Sequence, residues 1–350
     1  MPRALWALAI LSQLAVLALL ARRGRSLAGR LPGSRAVRSS VFLLLVLAAL
    51  WFVRLPFALG GHAWRRRHGL SRQGYLDWLL SPWLELLVGA LAALLALTAA
   101  IALQRRFGRW WWVPGWPLLV ALATALVVLG PLVLAPRLEP LGDARLAAEI
   151  RALARVQGAG SVDVVVRRTR GRTTTANAEI GGLGPTRRVI LWDTLIAGRF
   201  PRAEIRWVVA HELAHLARRH LWKGLGWFAL LSLPALALVA AVLRRAGGVA
   251  EPSAVPVAVL AVLAIQLALL PLANELSRRY EAEADWAALR ATGAPRAAES
   301  ALRRFGATSL ADPSPPAWAY TFRATHPSLL ERIALARAFS RSGEEPRGGS

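Results

Sequence analysis

At 350 residues, 55% of them hydrophobic and with a mean hydropathy of +0.42, the chain is too apolar for an ordinary soluble globule and points to a membrane protein. The formal net charge of +24 rests on arginine, Lys223 being the only lysine; with no recognised nucleic-acid fold or aromatic-basic module beside it, it reads as headgroup-facing charge, and no nucleic-acid partner is expected. Cysteine is absent, which excludes disulfides, thiolate metal ligands and cysteine nucleophiles.

Residues 4–21 form the first apolar run, with Arg3 before it and Arg22-Arg23 after it. Further spans follow and no small-x-small cleavage site precedes the arginines, so the run is expected to stay as an anchor. A basic loop leads to Ser40. The second span is 41–60, interrupted by Arg54; the third is 79–103, with Glu85 near one end; the fourth is 117–135. Arg54 and Glu85 sit near span ends, where an interhelical pair or snorkelling accommodates them. Trp78, Trp83, Trp110, Trp111, Trp112 and Trp116 fit an interfacial aromatic belt. Residues 1–136 are thus expected to be four N-terminal transmembrane helices, with His62 and His68 in a basic loop.

From 137 to 224 charges recur every few residues, and a first catalytic part is expected there. Residues 141–156 have a helical pattern. The β-branched stretch 162–168, a Gly/Thr-rich turn region, then 176–180 and 189–191 predict a small β-sheet. An exposed edge of such a sheet can bind an extended peptide through its main chain, and Asn177 is expected on that edge. Pro201 suits a first helical turn, Glu204 suits its dipole, and no breaker follows through Leu221, so one helix is expected across that stretch. It carries His211-Glu212-Leu213-Ala214-His215. Two histidines four apart share a face and can hold one Zn²⁺, with Glu212 placed to take a proton from a bound water. The pattern alone also fits a helix whose polar residues merely face water. His220 falls on another face of a continuous helix and is not expected to be a ligand.

Spans five and six fill 225–272, as runs 225–243 and 254–272, and abut the zinc helix and the segment after 273; the site is expected at one membrane boundary. In the second catalytic part, 273–339, a helix is predicted from Asn274 until Gly293. Asn274, Arg278, Glu281 and Asp285 share one face, whereas Glu275 and Glu283 point away. Glu281 is the expected third metal ligand, leaving a fourth position for water. Asp285, with Asn274 behind it, is expected to support the ligands, accepting from the outer nitrogen of a ligand histidine, and Arg278 to hold a carboxylate or substrate group. A solvated helix with ordinary i,i+4 pairs is the alternative. The tail 340–350 is expected to be disordered.

These residues resemble a family. His211-Glu212-Leu213-Ala214-His215, followed by Ser277-Arg278-Arg279-Tyr280-Glu281-Ala282-Glu283-Ala284-Asp285, looks like the integral-membrane zinc endopeptidases that include the type I CAAX prenyl proteases and the HtpX-type heat-shock proteases. Asn177-Ala178 with Gly182, then Arg188-Val189-Ile190-Leu191-Trp192-Asp193-Thr194-Leu195, is similar to the stretch ahead of that family's zinc helix. Thr325-His326-Pro327-Ser328 with Glu331-Arg332-Ile333 resembles its C-terminal motif. The resemblance covers roughly 141–339. It implies a mainly α, polytopic membrane protein with a zincin-like α+β catalytic domain and one Zn²⁺ per chain. It also implies His211, His215 and Glu281 as ligands, Glu212 as general base and His326 as stabiliser of the tetrahedral intermediate; Arg278 is the other donor expected to serve that oxyanion, and Asn177 and Ala178 are the expected substrate-binding residues.

The expected activity is hydrolysis of peptide bonds in peptide or protein substrates at a lipid bilayer, resembling the CAAX-processing branch. Quality-control cleavage of membrane proteins is the alternative within the same chemistry. A catalytically silent zinc-binding sensor or scaffold is the alternative from another class, and the presence of Glu212 argues against it. For topology, the arginines of 22–40 favour an outside catalytic part and those of the catalytic region favour the reverse. The resemblance implies a cytoplasmic active site in the cell membrane.

Overall fold

The computed structural model describes residues 2–134, 138–181 and 187–343, so the boundary expected at 136, Gly182 and the end of the tail (344–350) lie outside the described residues. Two compact units emerge. The first comprises Met1–Arg67, Gly74–Val127 and Leu225–Leu269, the second His68–Gln73, Val128–Gly224 and Leu270–Ser350.

The first unit is helical: α1 Pro2–Gly29, α2 Arg35–Arg67, α3 Tyr75–Leu80, α4 Trp83–Phe107, most of α5 Trp112–Leu134 and of α8 His220–Arg245, and the start of α9 Val255–Thr292. Six helices among the described residues are long and apolar enough to cross a membrane. Their outward faces carry large apolar side chains, with Leu11, Phe52, Leu87 and Leu230 all more than half exposed. Water does not tolerate an apolar surface of that extent, whereas lipid does, and the helices satisfy their own backbone groups. Inside the unit, Leu17, Phe42, Leu43, Val46 and Val255 form one apolar cluster and Ile101, Trp111, Val239, Ala240 and Leu243 another. Gly24 is required by close approach, since a Cβ there would lie 2.9 Å from the carbonyl oxygen of Ser253. His62 belongs to α2 and not to a loop. It is 3% exposed and stacks on Trp78 with ring centroids 4.7 Å apart.

The second unit is α+β. Its sheet runs in the order β1-β2-β4-β3, built from β1 Leu138–Pro140, β2 Asp163–Arg167, β3 Ala178–Gly181 and β4 Arg188–Trp192. β2 and β4 are parallel, Asp163 opposite Arg188, and the outer pairings are antiparallel, Ala178 facing Leu191. β4 has a strand on each side, and Val189, Ile190 and Leu191 are 5% exposed or less. Ahead of it, α6 Ala144–Val156 starts at Asp143, whose side chain accepts from the amide of Leu146 at 2.8 Å. Ile150, Val189, Leu191, Leu195, Val209, Leu213, Leu289 and Leu302 make one core that joins the sheet to α6, to α7 Arg202–Ala217, to the end of α9 and to α10 Pro295–Ser309. α11 Ala317–Arg323 and α12 Leu329–Ser342 complete the unit. Ser328 and Glu331 cap the start of α12 reciprocally.

Candidate metal centre

The centre is built on α7 and the C-terminal half of α9. Pro201 caps α7, and Glu204 in its first turn, 3% exposed, accepts from Ser300 and Arg304 of α10. That buried pairing fixes the helix, so residues two and three turns on are presented in a defined direction. His211 and His215 then face each other, their Nε2 atoms 3.1 Å apart. Glu281 of α9 brings Oε2 to 3.2 Å from His211 Nε2 and Oε1 to 3.5 Å from His215 Nε2. One donor atom from each of the three lies within 4.8 Å of the others. Glu281 Oε2 is buried and has no hydrogen-bond partner among the described residues. A buried carboxylate whose two oxygens each approach a ligand imidazole nitrogen, one of them without a well-formed hydrogen bond, is the arrangement a cation completes, and the N/N/O donor set leaves a coordination position open.

Behind His211, Asp285 accepts from Nδ1 at 2.8 Å and is itself held by Arg332, whose Nε and Nη2 each donate at 2.7 Å. Burial opposes protonation of His211, but the hydrogen bond and charge of Asp285 outweigh it and raise its pKa; burial and the His211 charge lower that of His215. Glu212 projects beside the cluster, and burial pushes its carboxyl up to about 7 against the opposing charge of His211. His326, on the turn between α11 and α12, is exposed and points Nε2 to within 3.3 Å of Glu281 Oε2.

Two residues expected at the cluster have other partners. Arg278 donates to the carbonyls of Tyr320 and Ala324 and to Glu275, and Asn274 donates to the carbonyl of Thr321. With its guanidinium engaged in that way, Arg278 fastens the segment that leads to His326. Asn177 is exposed just before β3, its carbonyl accepting from Trp192 N, and Ala178 is buried within β3 against α7. β3 has a strand neighbour on one side only among the described residues. Asp193 and Thr194 pin the nearby loops, Asp193 accepting from the amides of Thr169 and Arg170 and Thr194 donating to Thr175 O.

The helix expected to run unbroken through Leu221 stops at Ala217. Arg219 adopts φ 56°, and a new helix starts at His220. His220 therefore turns back, 6% exposed, with Nδ1 2.9 Å from His215 Nδ1 and Nε2 3.1 Å from Glu283 Oε2. The expectation that His220 lies on another face of one continuous helix fails for this reason, and Glu283, which is off the face that carries Glu281, meets His215 only through His220. No glycine or proline marks the break in the sequence. Arg332 was visible beforehand only as part of a C-terminal motif.

Known proteins resemble the chain along most of its length. The family described as Peptidase family M48 matches residues 140–340, and the one described as CAAX prenyl protease N-terminal, five membrane helices, matches residues 4–139. Four membrane-crossing candidates, not five, occur among the described residues of that N-terminal stretch. YhfN of Bacillus subtilis (strain 168), an uncharacterized metalloprotease, is 26% identical over 313 residues, 85% of this chain and 72% of its own. A CAAX prenyl protease 1 homolog of Oryza sativa subsp. japonica is 25% identical over 309 residues, 84% of this chain and 72% of its own. A protease HtpX homolog of Desulfatibacillum aliphaticivorans is 31% identical over 198 residues, 49% of this chain and 63% of its own. Among solved structures, the crystal structure of S. mikatae Ste24p aligns with a TM-score of 0.73 at 19% identity, covering 92% of this chain and 80% of that one, and so shares its fold.

Proposed function

The chain belongs to peptidase family M48 and is a multi-pass membrane metalloprotease, and from that premise we propose that it is a zinc endopeptidase acting on membrane-associated peptides. His211, His215 and Glu281 would hold the ion; the convergence of one donor atom from each within 4.8 Å is the observation that carries this reading. A Zn²⁺ bound by that set supplies Lewis acidity, lowering the pKa of a water and polarising a carbonyl. Glu212 accepts the proton of the attacking water on its carboxylate and returns it to the amine nitrogen as the C–N bond breaks. A carboxyl whose pKa burial has drawn towards neutrality suits both halves of that cycle. His326 Nε2–H donates to the carbonyl oxygen as charge grows there, and Arg278, Asn274 and Tyr320 keep its segment in position. The free side of β3 receives an extended substrate through its main chain, with Asn177 and Ala178 at its start.

For substrate class we propose prenylated C-terminal peptides. The match to a CAAX prenyl protease N-terminal region over 4–139, and to a CAAX prenyl protease 1 homolog over 84% of the chain, supports this above the HtpX-like alternative, whose match covers 49%. The site is proposed to face the cytoplasm from the cell membrane, in keeping with the arginine-rich catalytic region. Purified protein in detergent is expected to contain one zinc per chain and to cleave a quenched, prenylated peptide in a chelator-sensitive manner. Glu212→Gln should retain the zinc and lose about 10²- to 10⁴-fold in rate. Zinc-free protein, or wild-type turnover by the Gln variant, sinks the proposal.

A further inference from the structure

The support behind His215 differs from that behind His211. Where His211 meets a carboxylate directly, His215 meets another imidazole, and only that imidazole meets a carboxylate. We propose that His220 and Glu283 form a positioning pair that fixes the tautomer and ring orientation of His215, and thereby sets how tightly the cluster holds a divalent cation. This rests on the reading of the cluster as a metal centre.

The hydrogen-bond roles follow from the far end inward. Glu283 pairs with Arg218 and has Lys223 Nζ at 3.7 Å, so it is an acceptor only. His220 Nε2, 3.1 Å away, must therefore donate to it. A neutral His220 then offers a lone pair at Nδ1, and His215 Nδ1, 2.9 Å from it, is the donor. That assignment leaves the lone pair of His215 on Nε2, the atom that faces His211 and Glu281. Ring orientation is fixed as well. His220 stacks on Tyr280 at 4.6 Å and 15° and meets His215 edge-on at 4.9 Å and 77°. The chain reversal at Arg219 makes this possible, because on a continuous helix a residue five positions after His215 would lie about 140° round the axis.

The test uses the full chain, purified in detergent and stripped of metal. Zn²⁺ affinity is read by competition with a chromophoric chelator, and the visible bands of added Co²⁺ report the donor geometry. His220→Phe keeps a ring against Tyr280 and removes both nitrogens. It is expected to bind Zn²⁺ about 10- to 100-fold more weakly and to shift the Co²⁺ bands, with the thermal midpoint of the metal-free protein unchanged. His220→Gln, whose amide both donates and accepts, is expected to recover part of the loss. If the Phe variant does not fold, Glu283→Leu, which removes the acceptor, is expected to weaken Zn²⁺ binding in the same direction. Wild-type affinity in the Phe variant, or in Glu283→Leu, overturns the proposal, as does a His220→Gln variant no tighter than Phe. Wild-type protein that takes up no Zn²⁺ overturns the metal-centre reading itself, which separates the two failures.

Discussion

At Asp285 a charge sits 2% exposed, tolerable only because Arg332 grips both oxygens while His211 donates to one of them. Removing the guanidinium strands that charge, and the loss of one partner of a buried pair is costly. Arg332→Met is therefore expected to destabilise the protein by about 3 kcal/mol, and Arg332→Lys to restore it incompletely because an ammonium cannot reproduce the two-pronged geometry. Denaturant titration of the metal-free protein checks this, and unchanged stability in the Met variant refutes it. The convergence of His211, His215 and Glu281 was legible in the sequence because helical spacing alone puts each donor on a known face. His220 and Glu283 were not, since their approach depends on a left-handed residue, Arg219, that carries no compositional signal. The backbone partners of Arg278 were not legible for a similar reason. Its helix face was read correctly, but the carbonyls of Tyr320 and Ala324 that claim it come from a distant turn.

Among the elements, α10 and α12 are joined at Glu299, which accepts from Arg303 on its own helix and from Arg337 across the gap. Those hydrogen bonds pull its pKa from 4.5 to about 2. A carboxyl with a depressed folded-state pKa stabilises fully above the unfolded value and loses that stabilisation as pH falls through the folded one. Wild-type protein should thus exceed Glu299→Gln in thermal midpoint at neutral pH, with the gap closing as pH falls from 4.5 towards 2. A gap that persisted or widened in acid would contradict the assignment. Strand β2 was legible as a β-branched run, and β3 and β4 as short segments after the Gly/Thr-rich turn region that follows it. β1 was not, because three residues ending in proline have no periodicity to read. Helix ends were the least visible feature. The first apolar run covers 4–21, yet α1 extends through Arg22 and Arg23 to Gly29, since hydropathy marks what lipid accepts and not where hydrogen bonding stops.

For the molecule as a whole, all three donor residues and their supports lie in the second compact unit, whereas the first contributes none. Cation binding adds stability only where the ligands are, by mass action, about 4 kcal/mol at a thousandfold excess over Kd. Hydrogen exchange should accordingly rise on chelation in peptides from 202–217 and 270–292 and stay constant in peptides from 35–67. A uniform response across both sets would refute a localised centre. The membrane class was legible from composition, and six membrane-crossing candidates follow from hydropathy with little ambiguity, because nothing but lipid accommodates such runs. The division of the donors between α7 and α9 has one more consequence. Both imidazoles leave the ribosome before α8 and the apolar half of α9, and the carboxylate arrives after them. A product that ends short of residue 281 lacks the third donor and cannot complete the cluster.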